Sequence, residues 1–280
     1  MKPRFVDANG LRFGYLEQGT GPLVLLVHGF PDTAMTWDRA LPALAAAGYR
    51  AVAPFTRGYA PTEIPANGAY DSDTLGKDLI ALILALGADA AIVIGHDWGA
   101  SAAYAAAAMA PERVRLLVPV AIPHPRSIRP TPGLLWKMRH FATLRASGAA
   151  ERIRRADLAL IDELWRRWSP AWKDLPTAES EPAKAALREP GCLEAALGYY
   201  RAVSLRLPPS HQLPITVPTV AFAGEHDIIA PRAFEKARGC FMGSYEVVQM
   251  PGGHFMHREH SGHFVRELVR VVRDHDARPR

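Results

Sequence analysis

Four short apolar runs, at residues 23–27, 50–54, 91–94 and 115–122, alternate with stretches of helical periodicity such as 75–86. A strand that is apolar on both sides must be covered on both faces, and intervening helices supply that cover. The pattern therefore predicts an α/β fold: a mostly parallel sheet flanked by helices. Ahead of it, alternating runs at 5–8 and 11–16 meet at Asn9-Gly10, the residue pair of a tight hairpin turn, so the chain opens antiparallel. After Ile122-Pro123-His124-Pro125 the rhythm stops, and helical periods continue without a convincing strand. Strand-like runs return at 219–223 and 245–250, followed by a closing helix at about 259–273 and a tail expected to fray after Asp274. The expectation is one core, residues 1–123 and 213–280, interrupted by a helical lid at 124–212.

With 280 residues and 49% hydrophobic content, the chain can bury a large core. Its formal charge of +5 is spread over many short Arg-rich stretches, which reads as solvated surface and argues against nucleic acid as a partner. Cys192 and Cys240 are far apart and lack a metal-binding spacing, so neither a disulfide framework nor a zinc site is expected. No uninterrupted apolar run reaches the roughly eighteen residues of a membrane span, and Met1-Lys2-Pro3-Arg4-Phe5 does not begin a signal peptide. A cytoplasmic location with no membrane partner is the expectation. The oligomeric state is left open.

The chemistry collects at the ends of the strands. Gly95-His96-Asp97-Trp98-Gly99 lies between a buried strand and an Ala-rich helix at 98–109, the setting of a nucleophile elbow with Asp97 where Ser usually stands. A turn that tight needs flanking residues without a Cβ, and it lifts the central side chain above the sheet. An ordinary helix N-cap is the competing reading of Asp97. Partners follow in the order nucleophile, acid, base: Gly224-Glu225-His226-Asp227 and Pro251-Gly252-Gly253-His254 each follow a strand. Asp227 is the preferred acid, beside the Ile228-Ile229-Ala230-Pro231 helix entry, with Glu225 as the alternative. His28-Gly29-Phe30-Pro31 ends the 23–27 strand, where a backbone N–H can join that of the residue after the nucleophile, so Phe30 and Trp98 are the candidate oxyanion-hole donors. His254, His257, His260 and His263 recur every three residues, but they match no zinc motif and start in a loop. No metal is expected, and the last three are expected at the surface.

These residues resemble the epoxide hydrolase and haloalkane dehalogenase branch of the α/β-hydrolases, closest to epoxide hydrolases, over nearly the whole chain. Arg57-Gly58-Tyr59, Pro111-Glu112-Arg113-Val114 and Leu197-Gly198-Tyr199-Tyr200-Arg201 extend the likeness, while Thr56 departs from the acidic residue often found before the Arg-Gly pair. The resemblance implies an α/β-hydrolase fold with an inserted helical lid, acting without a cofactor on a small apolar organic substrate and water. It implies that Asp97 attacks an epoxide carbon to form an alkyl ester, and that water activated by His254, oriented by Asp227, hydrolyses it. The family also uses two lid tyrosines to protonate the opened ring. Tyr200 matches the second, no tyrosine matches the first, and rough alignment puts His140 in its place.

A haloalkane dehalogenase would share Asp97, His254 and Asp227 but would hold halide with paired N–H donors. Trp98 supplies one, Phe30 stands where that family often has Asn, and Trp136, Trp165, Trp168 or Trp172 could supply the other. A fluoroacetate dehalogenase fits less well, because Trp98 stands where those enzymes carry Arg. A non-catalytic ligand-binding protein on the same scaffold and an ester or lactone hydrolase are the remaining readings.

Overall fold

The structure is a computed structural model that describes residues 1–204 and 206–277. Eight strands form one sheet: β1 (Arg4–Ala8), β2 (Leu11–Gln18), β3 (Leu23–Val27), β4 (Arg50–Pro54), β5 (Ala91–His96), β6 (Val114–Val120), β7 (Thr219–Gly224) and β8 (Tyr245–Met250). Their spatial order is β1-β2-β4-β3-β5-β6-β7-β8, with β2 antiparallel to both β1 and β4 and all later neighbours parallel. The hairpin turns at Asn9 and Gly10, both at positive φ, as that residue pair allows. β3 and β5, at the centre of the sheet, are buried at every position, which is why their sequences carry no polar alternation.

Helices cover both faces. They include α1 (Ala40–Ala46), α2 (Ser72–Ala85) and α3 (Trp98–Met109) before β6. Asp71 caps α2 by accepting from the Thr74 amide at 3.0 Å. α3 is buried along most of its length, and its run of alanines lets it pack closely on α2 and on the sheet beneath. Between β6 and β7 lie seven helices among the described residues: α4 (Pro132–Lys137), α5 (His140–Arg145), α6 (Ala149–Arg155), α7 (Ala159–Trp168), α8 (Thr177–Arg188), α9 (Cys192–Ala202) and α10 (Pro209–Gln212). After β7 come α11 (Arg232–Lys236), α12 (Met256–Glu259) and α13 (Ser261–Asp276).

Several boundaries differ from expectation. β6 ends at Val120 rather than residue 122, because Ala121 takes a left-handed φ of 69° and turns the chain toward the helical segment. The closing helix runs on to Asp276, past the point where fraying was expected, and Arg278–Arg280 lie outside the described residues. Among the described residues, no helix is long and apolar enough to cross a membrane.

Candidate active site

The turn between β5 and α3 holds Asp97 at φ 53°, ψ −118°, a conformation that a non-glycine residue adopts only when its surroundings impose it. The imposition is steric. A Cβ at Gly95 would overlap the backbone of Gly99, and one at Gly99 would overlap the carbonyl of Val27. Gly29 is constrained in the same way, since a Cβ there would strike Asp97 Oδ1 and lie 2.5 Å from the Trp98 amide nitrogen. The three glycines let two loops close on one carboxylate.

Asp97 is 9% exposed, and its two oxygens face different partners. Oδ1 accepts the Phe30 N–H at 2.9 Å, while Oδ2 lies 3.4 Å from His254 Nε2. His254 Nδ1 donates to Asp227, 3.1 Å from Oδ2 and 3.3 Å from Oδ1. Asp227 sits in the loop after β7, where its Oδ1 also accepts the Ile229 amide at 3.3 Å. Glu225, two residues earlier, is exposed. The structure thus brings Asp97, His254, Asp227 and the Phe30 amide together and leaves Glu225 outside.

Burial works against charge on both Asp97 and His254, but their mutual attraction outweighs it. For Asp97, the His254 imidazole and the Phe30 N–H hold the carboxyl below the usual carboxylate range. For His254, burial pulls the pKa down, and Asp227 and Asp97 together lift it to about 10. The pairing thus favours the charged forms of both Asp97 and His254.

The helical segment closes over this group. His254 N donates to the Trp168 carbonyl at 2.8 Å, the Phe255 amide donates to Ser169 Oγ at 3.1 Å, and Trp165 Nε1 donates to the Pro31 carbonyl at 3.0 Å. The Trp165 and Phe255 rings stack at 3.8 Å. Tyr200, on α9, is buried edge-on against Phe30 at 5.1 Å and Trp98 at 5.3 Å. His140, on α5, is also buried, 5.9 Å from the Tyr200 ring and 4.8 Å from that of Trp168. Burial raises the Tyr200 pKa well above that of free tyrosine. Burial and the Arg167 guanidinium push His140 down to about 4. Both are neutral at physiological pH, so each can offer a proton in a hydrogen bond. Trp98, half-buried, turns its indole toward Tyr199 and Tyr200, and Trp136 is largely exposed.

One expectation fails and one layer went unforeseen. His257 is buried, not at the surface, and its Nε2 shares a hydrogen bond with Thr36 Oγ1 at 2.7 Å, because α12 turns back under the elbow. His260 and His263 are exposed. Beneath Asp97 and His254, Asp32, His96 and His257 hold ligand-type atoms within 4.8 Å of one another, which is the only metal-type grouping among the described residues. His96 Nε2 donates to the His254 carbonyl at 2.9 Å and so supports the loop of the histidine above it. The early motifs HGFPD and GHDWG contain Asp32 and His96, but nothing in their spacing pairs them with His257. Thr56, the departure from the usual acidic residue, donates its amide to His28 Nε2 at 3.0 Å.

A sheet of this order, with a strained elbow after β5 and a buried histidine between two carboxylates, defines a hydrolase of the α/β class. The pattern of the alpha/beta hydrolase fold family matches residues 22–261, and the chain belongs to that family. It is 33% identical over 95% of its length to the AB hydrolase superfamily protein YfhM of Bacillus subtilis, covering 92% of that protein. An epoxide hydrolase of Caballeronia sordidicola is 35% identical over 69% of this chain, a match spanning 52% of the relative. Among solved structures, a candidate epoxide hydrolase of Klebsiella pneumoniae superimposes with a TM-score of 0.84 at 27% identity, covering 97% of both chains.

Proposed function

We propose that the protein opens epoxides to vicinal diols through an ester on Asp97. The observation that carries this reading is the split use of the Asp97 carboxylate, with Oδ1 on the Phe30 N–H at 2.9 Å and Oδ2 turned to His254. Oδ2 attacks an epoxide carbon, the ring C–O bond breaks, and the alkoxide takes the Tyr200 proton while the His140 N–H steadies the same oxygen. Oδ1 then becomes the ester carbonyl, already seated at the Phe30 N–H and next to the Trp98 amide at the start of α3.

Esterification removes the charge of Asp97, and with it part of the field that keeps His254 protonated. Its Nε2 then loses its proton, takes one from water, and the hydroxide adds to the ester carbonyl. Collapse releases the diol, its alkoxide taking the proton of the added hydroxyl, and regenerates the Asp97 carboxylate beside a His254 again protonated by water, while the proton His254 first gave up reaches the Tyr200 phenolate through solvent. A serine nucleophile would form a stable ether on an sp³ carbon, whereas an aspartyl ester keeps a carbonyl for water to reach. Residues 124–212 serve as the lid over the core formed by the flanking segments. No cofactor or metal takes part, and the substrate is a small organic molecule.

The dehalogenase reading retains one supporting feature. The Trp165 N–H is spent on Pro31, but Trp168 Nε1 is buried without a hydrogen-bond partner and could pair with Trp98 around a halide. Intact-protein mass spectrometry of His254→Gln, incubated with matched epoxides and haloalkanes, separates the two. Addition of the whole epoxide mass at Asp97 supports the epoxide hydrolase. An alkyl adduct with released halide moves the assignment to the dehalogenase, and no adduct with either class overturns alkylation at Asp97.

A further inference from the structure

Arg167 stands on α7 immediately before Trp168, whose ring lies 5.2 Å from that of His254. Its Nε and Nη2 atoms are buried and make no hydrogen bond among the described residues. Those two nitrogens share one edge of the guanidinium, the edge that presents two parallel N–H groups to a carboxylate. The same protein shows the edge in use elsewhere, where Arg57 grips Asp78 with Nε on one oxygen and Nη2 on the other, each at 2.5 Å. Arg167 has no such partner. Its nearest carboxylate, Glu163, approaches the remaining nitrogen Nη1 at 3.9 Å and is itself largely exposed.

The surroundings add positive charge rather than neutralise it. Arg167, Arg139 and Lys137 line one cavity of about 190 Å³ together with Trp136 and the loop carrying His226 and Asp227. Arg139 is held there over the Trp136 ring at 4.0 Å, and Lys137 by the Ile228 carbonyl at 3.0 Å. The carboxylate on that wall, Asp227, is already committed to His254 at 3.1 Å. Burial and the neighbouring Arg139 both disfavour the charge on Arg167. Two unsatisfied charge-bearing N–H groups and clustered like charges are costly to maintain, and an anion between them relieves both. Arg167 is joined through Trp168, the next residue of α7, to the ring-opening donors, since the Trp168 ring lies 4.8 Å from that of His140, which lies 5.9 Å from that of Tyr200.

We propose that Arg167 is a docking fork for a carboxylate on the substrate, so that the preferred substrate is an epoxide bearing a carboxylate close to the ring. This rests on the epoxide reading above and adds the substrate class to it. The planar fork favours a carboxylate over a neutral amide of the same shape, and a lysine, being a point charge, cannot reproduce it.

Two measurements test the fork separately from the chemistry. The first is equilibrium binding of 2,3-dihydroxybutanoate and its primary amide by calorimetry. The second is kcat/KM for 2,3-epoxybutanoate and its amide. Both use wild type, Arg167→Gln, Arg167→Lys and, as a control for overall positive charge, Arg266→Gln on the exposed face of α13. The acid should exceed the amide by about tenfold or more in wild type, as charge-assisted bidentate bonds do. That ratio should collapse in Arg167→Gln, fall most of the way in Arg167→Lys, and persist in Arg266→Gln. Equal binding of acid and amide by wild type, or a ratio that survives Arg167→Gln, overturns the fork. A binding preference without turnover of either epoxide supports the fork and overturns the epoxide reading. Turnover of both epoxides without preference does the reverse.

Discussion

His254 Nε2 faces Asp97 Oδ2 at 3.4 Å while its Nδ1 donates to Asp227 at 3.1 Å, so one imidazole is shared between two carboxylates. Asp227 keeps its hydrogen bond to His254 Nδ1 throughout the proposed cycle, whereas Asp97 loses its charge each time it is esterified. In that proposed cycle the histidine is switched from acid to base by the first chemical step. Replacing Asp97 by Asn imitates the uncharged state. The His254 imidazole should titrate at a clearly lower pH in Asp97→Asn than in wild type, followed by NMR of ring-labelled histidine. An unchanged titration would remove the coupling from the mechanism.

The same shift sets a limit on stability. A histidine whose pKa rises from 6.5 to about 10 on folding contributes stability that is fully present below 6.5 and lost as pH rises through 10. Asp97, depressed on folding, contributes above its ordinary value and loses that contribution in acid. Thermal midpoints should therefore fall between about pH 7 and pH 10. The slope over that interval should be flatter in His254→Gln, and parallel slopes would contradict the assignment.

Asp32 has the opposite sign from an ordinary surface carboxylate. Burial lifts its carboxyl to about 6, so the neutral form is favoured by the fold. Its stabilising contribution is complete below 3.8 and disappears as pH rises through 6. Asp32→Asn keeps an oxygen for the Thr33 amide, which donates to Oδ1 at 2.8 Å, and removes the buried charge. It should stabilise the protein by about 1–3 kcal/mol at pH 8 and by much less at pH 4, in denaturant titrations at both values. Destabilisation at pH 8 would show that the ionised carboxylate holds the layer beneath the triad together.

Gly29 gives a test of geometry rather than charge. Its missing side chain lets the Phe30 turn sit against Asp97 Oδ1 and the Trp98 amide. Gly29→Ala should displace the carboxylate by a fraction of an ångström or more and lower kcat/KM by about a hundredfold, the scale expected for misplaced reacting groups. The variant should still fold, judged by circular dichroism and melting. Activity within a fewfold of wild type would mean that the turn can yield.

Tyr200 and His140 should affect only the first step. Tyr200→Phe should slow formation of the ester by about a hundredfold, the range of general acid catalysis, and leave its hydrolysis unchanged. Rapid-quench mass spectrometry of a single turnover reads the two rates apart. Slowed hydrolysis instead would place Tyr200 on the water side of the reaction.

Much of this protein could be read from the chain because its signals are local. Continuous apolar strands, the Asn9-Gly10 turn and glycines on both sides of Asp97 each have one physical interpretation over a few residues. The order of Asp97, Asp227 and His254 was equally legible, since each follows a strand and strands of a parallel sheet end at the same edge. Asp227 was already preferred over Glu225 from its place at the helix entry, while the reason lies in the three-dimensional path of the loop, which buries one carboxylate against His254 and leaves the other in solvent. His257 was misjudged for a related reason. Its three-residue spacing from His260 and His263 carries no information about burial until α12 is seen to fold back beneath the elbow. The layer of Asp32, His96 and His257, and the unpaired edge of Arg167, also belong to the tertiary structure alone. Each depends on contacts among segments far apart in sequence, and whether a polar atom is satisfied is decided by what packs against it.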